Sequence, residues 1–184
     1  MITQEQLRKW FSEEDFFSVP AAVLPLGITD VSTRRLLTEV GLPESFLDIV
    51  ELDTDMPDRV WTVSEVYQRH GEQPPNGAGE LFWLGFADGS FLCLDGRTGA
   101  LSQVHDDFGI RPFASSLDTF IQVLGFVSYE VEKYQRSRRT NSKKFTGRLT
   151  RRSLKHLKRV DPAGSATAEL AWRELLDHTA ATVA

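Results

Sequence analysis

Apolar and polar positions are patterned most regularly in the middle of the chain, in LFWLGFADGSFLCLDGRTGALSQV, residues 81 to 104. Two turn signals, Asp88-Gly89 and Asp95-Gly96 with Gly99, divide this stretch into three apolar runs. Asp-Gly between β-prone runs is a hairpin cue because glycine takes positive φ at no steric cost. The pattern therefore predicts three antiparallel strands in a meander. After it the period lengthens: Leu117, Phe120, Ile121, Leu124, Val127, Val131 and Tyr134 recur at steps of three and four, which predicts a helix with one apolar face. Ser115 is placed to cap it, with Asp118 three residues on in the capping-box position.

The flanking sequence supplies further elements. Thr3 with Gln6 has the spacing of a capping box for a short helix ending near Phe11, with Leu7, Trp10 and Phe11 on its buried side. Pro20, Pro25 and Gly27 then impose an extended connection. A second helix begins at Thr29 or Ser32, buries Leu36, Leu37 and Val40, and stops at Gly41 before Leu42-Pro43. SFLDIVEL, residues 45 to 52, reads as a strand. Residues 60 to 71 open in a strand-like alternation and pass into a helical turn or two from Ser64, and 72 to 80 form a surface loop. Near the C-terminus, TNSKKFTG (140 to 147) reads as a turning connection and LTRRSLKHLKRV (149 to 160) as a basic helix with a thin seam of Leu149, Leu154, Leu157 and Val160. Asp161-Pro162 ends that helix. Ala166 to Thr179 predict a last one, with Leu170, Trp172, Leu175 and Leu176 as its apolar surface.

These elements give an α+β class: one compact domain in which an antiparallel or mixed sheet, with a central β-meander, is flanked by helices. A chain of 184 residues buries about 70% of its unfolded surface on folding. The expected partition is a core over 1–132, a basic arm of linker plus short helix over 133–160, and a C-terminal helix over 161–184 packing on the core.

Charge changes this picture more than composition does. From Lys133 to Arg159 there are twelve Lys or Arg and no Asp or Glu; with 21 basic and 26 acidic residues in all, the remainder holds 9 and 26, so +12 faces −17. A same-sign block of this length is unusual enough to need an explanation. The arm can lie on the chain's own acidic body, meet an acidic protein surface, or meet nucleic-acid phosphate, whose binding would be sequence-blind and salt-dependent. Only Tyr134 and Phe145 interleave aromatics in it, thin support for base stacking.

Catalytic signatures are sparse. His70, His105, His156 and His178 are scattered, and His105-Asp106-Asp107 falls where the third strand runs into a solvated turn. No phosphate-binding glycine loop or nucleophile elbow occurs. The single Cys93 lies in a strand, where it reads as a small buried hydrophobe and excludes an intramolecular disulfide. The reading is of a binding protein without enzyme activity, cofactor or metal. MITQEQLRKWF lacks the charged head and apolar run of a signal peptide and no apolar run reaches membrane-spanning length, so the expected location is the cytoplasm.

The order of motifs is similar to a known family. TRRLLTEVGLP (33 to 43), the block FWLGFADGSFLCLDGRTGALSQV, FASSLDTFIQVL and the late AELAWRELLDH together resemble the SUKH superfamily, particularly its fourth, actinobacterial subgroup, over roughly residues 25 to 178. Ala114 stands where the family has Asn before its Ser-Ser pair, and the basic arm is more extreme than in a typical member. The resemblance implies an immunity protein that binds and neutralises a cognate polymorphic toxin, many such toxins acting on nucleic acids. A toxin of that kind has a basic cleft, which the acidic body would approach with electrostatic steering. The expected contact residues are Asp53, Asp55 and Asp58, with Trp83 as an exposed anchor if alternation sends Phe82 and Trp83 to opposite faces. Arg138, Arg139, Lys143, Lys144, Arg148, Arg151 and Arg152 represent the arm. The rival reading is a nucleic-acid-associated protein that uses residues 133–159.

Overall fold

The structure is a computed structural model that describes residues 2–11, 15–46, 49–136 and 142–183, leaving aside the side chains of residues 142–144. Its frame is a six-stranded antiparallel sheet in which every strand neighbours the next in sequence: β3 (Ser45–Phe46), β4 (Val50–Leu52), β5 (Phe82–Ala87), β6 (Ser90–Leu94), β7 (Leu101–His105) and β8 (Gly109–Ala114). A separate two-stranded ribbon joins β1 (Phe16–Phe17) to β2 (Leu42–Pro43).

The predicted meander is thus the centre of a larger one. Asp88 and Gly89 both take positive φ, 51° and 73°, and close the β5–β6 hairpin, as two-residue turns with right-handed strand twist require. The third predicted strand is followed by a fourth: Asp106, Asp107 and Phe108 form a tight turn and the chain returns as β8. Residues 45 to 52 are two short strands of a hairpin instead of one, with Ser45 opposite Glu51 and Phe46 opposite Val50.

Helices cover one face of this sheet. The α4 helix (Leu117–Arg136) buries all seven residues of the predicted stripe. Its N-cap is Ser116, whose Oγ accepts the Thr119 N–H, and not Ser115, whose own N–H donates to Asp161. The α6 helix (Ser165–Val183) places Trp172 fully inside, packed at a tilt against Phe113 and Phe120, with its indole N–H donating to the Phe113 carbonyl at 2.7 Å. Leu170, expected on the same apolar surface, points outward at 57% exposure.

Between them runs α5 (Ser142–Val160), which starts seven residues before the predicted basic helix. Phe145 explains the extension: its ring stacks on Tyr134 of α4 at 3.8 Å, so tertiary packing overrides a locally turn-like sequence. Leu149, Leu154 and Leu157 fill the seam against α4 and α6. At the N-terminal end, α1 (Gln4–Trp10) carries the Thr3–Gln6 capping box. The α2 helix (Val31–Arg35) is capped by Asp30, not Thr29 or Ser32, and ends in a π-type turn over Leu36–Val40 before Gly41. The α3 helix (Val63–Arg69), capped by Thr62 with Glu65, lies on the sheet face that the larger helices leave uncovered.

Candidate functional site

That second face is organised by a β-bulge. Trp83 pairs with Cys93 and Gly85 with Leu92, so Leu84 is extra and the alternation along β5 slips by one. Trp83 and Phe86, three apart, therefore share a face. Gly85 makes the slip possible: its φ is 140°, and a Cβ there would stand 2.1 Å from the Glu51 carbonyl oxygen. The cross-strand register then aligns Ser45, Glu51, Phe86, Phe91, Val104 and Ile110 in one row over all six strands.

The row is part of a small aromatic cluster. Phe86 meets Phe91 at 5.2 Å between centroids and Trp83 at 5.6 Å, and Tyr67 from α3 meets Phe91 edge-on at 5.4 Å. Beneath them Cys93 and Val104 are buried, and burial alone pushes the Cys93 thiol far above its ordinary pKa, so it is a packing residue. On this face Phe86 and Ile110 remain 39% and 38% exposed. Trp83 is half-buried, with its indole N–H donating to the Gly85 carbonyl at 2.7 Å. The exposed ring of the predicted anchor region is Phe86, not Trp83.

Carboxylates stand at both ends of the row. At the β4 end Glu51 is the exposed cross-strand neighbour of Phe86, and Asp53 is held beside β5 by its N–H to the Leu84 carbonyl. Burial raises the Asp53 pKa above the usual carboxylate range; one oxygen accepts the Asp55 N–H and the other has no partner among the described residues. Asp55 and Asp58 are exposed on the same loop. The loop is not purely acidic: Trp61 lies between the guanidinium groups of Arg59 and Arg69, at 3.7 and 3.4 Å, and Arg59 also pairs with Glu65. At the far end, Asp106 accepts from the Tyr67 hydroxyl at 2.8 Å and Asp107 projects into solvent. The sheet thus sets Asp53 beside Leu84, the neighbour of Trp83 on β5, with Asp55 on the loop beyond, and adds Glu51, Phe86 and Phe91 along the row and Asp106 at its far side. Sequence reasoning missed these because strict alternation puts Phe86 on the wrong face; a glycine inside a strand was the available signal.

The arm belongs to the other side of the molecule. Arg152 pairs with Glu130 of α4 at 2.8 Å, the carboxylate being 2% exposed, and Lys158 pairs with Glu169 of α6 at 2.9 Å. These contacts fold part of the positive block onto the chain's own acidic residues. Arg148 and Arg151 lie on α5 with no carboxylate partner among the described residues, as does Lys155. Lys143 and Lys144 sit in the first turn of α5, and Arg138 and Arg139 fall outside the described residues. Among the described residues no group of three or more His, Cys, Asp or Glu is placed to hold a metal ion, and no helix is long and apolar enough to cross a membrane.

No curated protein and no solved structure gave a match to the chain. A family model did, over residues 2–178, which takes in α1 as well as the region from residue 25 that carries the sequence resemblance. With that match running from the first helix through the meander to α6, the chain belongs to the SUKH-4 immunity protein family.

Proposed function

We propose that the chain neutralises a cognate toxin by docking the Phe86 face of its sheet onto the toxin, with the acidic residues at the ends of the row steering it toward a basic cleft. The observation that carries this reading is the part of that face left open beside α3, where Phe86 and Ile110 stay 39% and 38% exposed. A sheet with one face packed under helices normally exposes polar side chains on the other, whereas here Phe86 and Ile110 hold that position, with Phe91 half-buried between Phe86 and Tyr67. Aromatic groups ringed by polar ones are the usual centre of a protein interface. Steering by Glu51, Asp55 and Asp58 would raise the association rate and make it fall with salt. In this division residues 1–132 supply the contact face, while the arm over 133–160 and the helix over 161–184 brace it from behind, and the role is binding without a catalytic step.

One observation favours a second reading, a nucleic-acid contact through α5: Arg148, Arg151 and Lys155 have no carboxylate partner among the described residues. An affinity capture from the native host separates the two. Wild-type protein and an Arg148→Glu, Arg151→Glu, Lys155→Glu variant should both retain the same toxin-domain protein through a high-salt wash, and a Phe86→Ala, Glu51→Lys variant should lose it. Retention of nucleic acid alone, released by salt and abolished in the α5 variant, would replace the proposal with its rival.

A further inference from the structure

We propose a second binding site, distinct from the sheet face: the groove between α1, α4 and α5, which takes an acidic peptide segment carrying an apolar anchor. The groove encloses about 790 Å³ along the solvent side of α4, within the range of sites that bury a compact ligand. Its floor is aromatic. Trp10 lies against Gly125, where an added Cβ would come within 2.4 Å of the indole, and Phe126 stacks on His156 at 4.3 Å with the rings 11° apart. Tyr129 stands over the floor, 54% exposed.

The rim is cationic. Lys9 comes from α1, Arg136 from α4 and Arg159 from α5, and among the described residues the lining includes a single carboxylate, Glu132, already paired with Arg136 one helical turn away. Such an exposed pair is held only weakly, so an incoming carboxylate can exchange with it. The charge of the rim selects an anionic partner, and the floor selects what kind. A nucleic-acid strand needs a run of free ring faces for its bases, but Phe126 is covered by His156, Trp10 rests on α4, and Tyr129 alone offers an open ring, with the Lys133 ammonium over it at 5.9 Å. The remaining space suits side chains inserted between the rings, as a peptide supplies them.

Fluorescence anisotropy of a labelled short Asp/Glu peptide with one central Phe, titrated with the full chain, tests this. The acidic peptide should bind, and its amidated Asn/Gln counterpart should bind at least about tenfold more weakly, the equivalent of about 1.4 kcal/mol. Lys9→Glu with Arg159→Glu should produce a similar loss at unchanged thermal midpoint, and Phe86→Ala should leave peptide binding as it is. No binding of the acidic peptide, equal binding of its amidated counterpart, indifference to the charge reversals, or tighter binding of a labelled oligothymidylate sensitive to the same reversals would each overturn the proposal.

Discussion

Asp53 sits where a carboxylate is costly: partly buried at the start of the loop beside β5, with one oxygen unpartnered among the described residues and its pKa raised by burial. For an acid whose folded pKa lies above the unfolded one, the native state holds more protons between the two values, so its contribution to stability falls as pH rises through that window. Asp53→Asn keeps an acceptor for the Asp55 N–H and removes the buried charge. The variant should therefore unfold at higher urea than wild type at neutral pH, with the advantage shrinking as pH drops below the folded pKa. An unchanged or lower urea midpoint at neutral pH would show that the Asp53 charge is well solvated or compensated, for example by Arg69, whose charge acts on it.

Among the elements, β5 decides the geometry of the face. Its bulge depends on Gly85, because any side chain there meets the Glu51 carbonyl and adopts a backbone conformation that L-residues avoid. Gly85→Ala should cost about 3 kcal/mol, combining backbone strain and overpacking, as measured by urea unfolding. A cost below about 0.5 kcal/mol would mean that β5 runs without its bulge. The same residue marks what sequence could and could not show. Hairpin turns and capping boxes were legible because Asp88-Gly89 and Thr3–Gln6 act within a few residues of themselves. The α4 stripe was legible because its period is local. The bulge and the early start of α5 were not, since each depends on a partner outside its own stretch, the Glu51 carbonyl and the Tyr134 ring; β8 is a local hairpin strand, hidden because Asp106-Asp107 reads as a solvated turn and Arg111-Pro112 interrupts the apolar run. The candidate face inherits that limit. Its acids were readable as charges, but the row from Glu51 through Phe86 to Ile110 exists only through the register of the sheet.

At the scale of the whole molecule, charge is unevenly spread between the layers, with Arg59 and Arg69 the cations beside the acidic loop. The described part of the positive block lies at the end of α4 and along α5, behind the sheet, and is partly neutralised there by Glu130, Glu132 and Glu169. Acidic groups flank the aromatic row on the opposite side. An arrangement of this kind presents one orientation to a basic partner and turns the other away, which favours specificity and encounter rate over raw affinity. The measurement that tests the account most directly is calorimetric affinity for the toxin domain recovered by capture, compared across Phe86→Ala with Glu51→Lys and across Arg148→Glu with Arg151→Glu and Lys155→Glu. The account predicts a loss of at least about 2 kcal/mol for the sheet-face pair, as for a central interface residue, and a change within about 0.5 kcal/mol for the α5 triple. The reverse ranking would contradict it and move the toxin contact to α5.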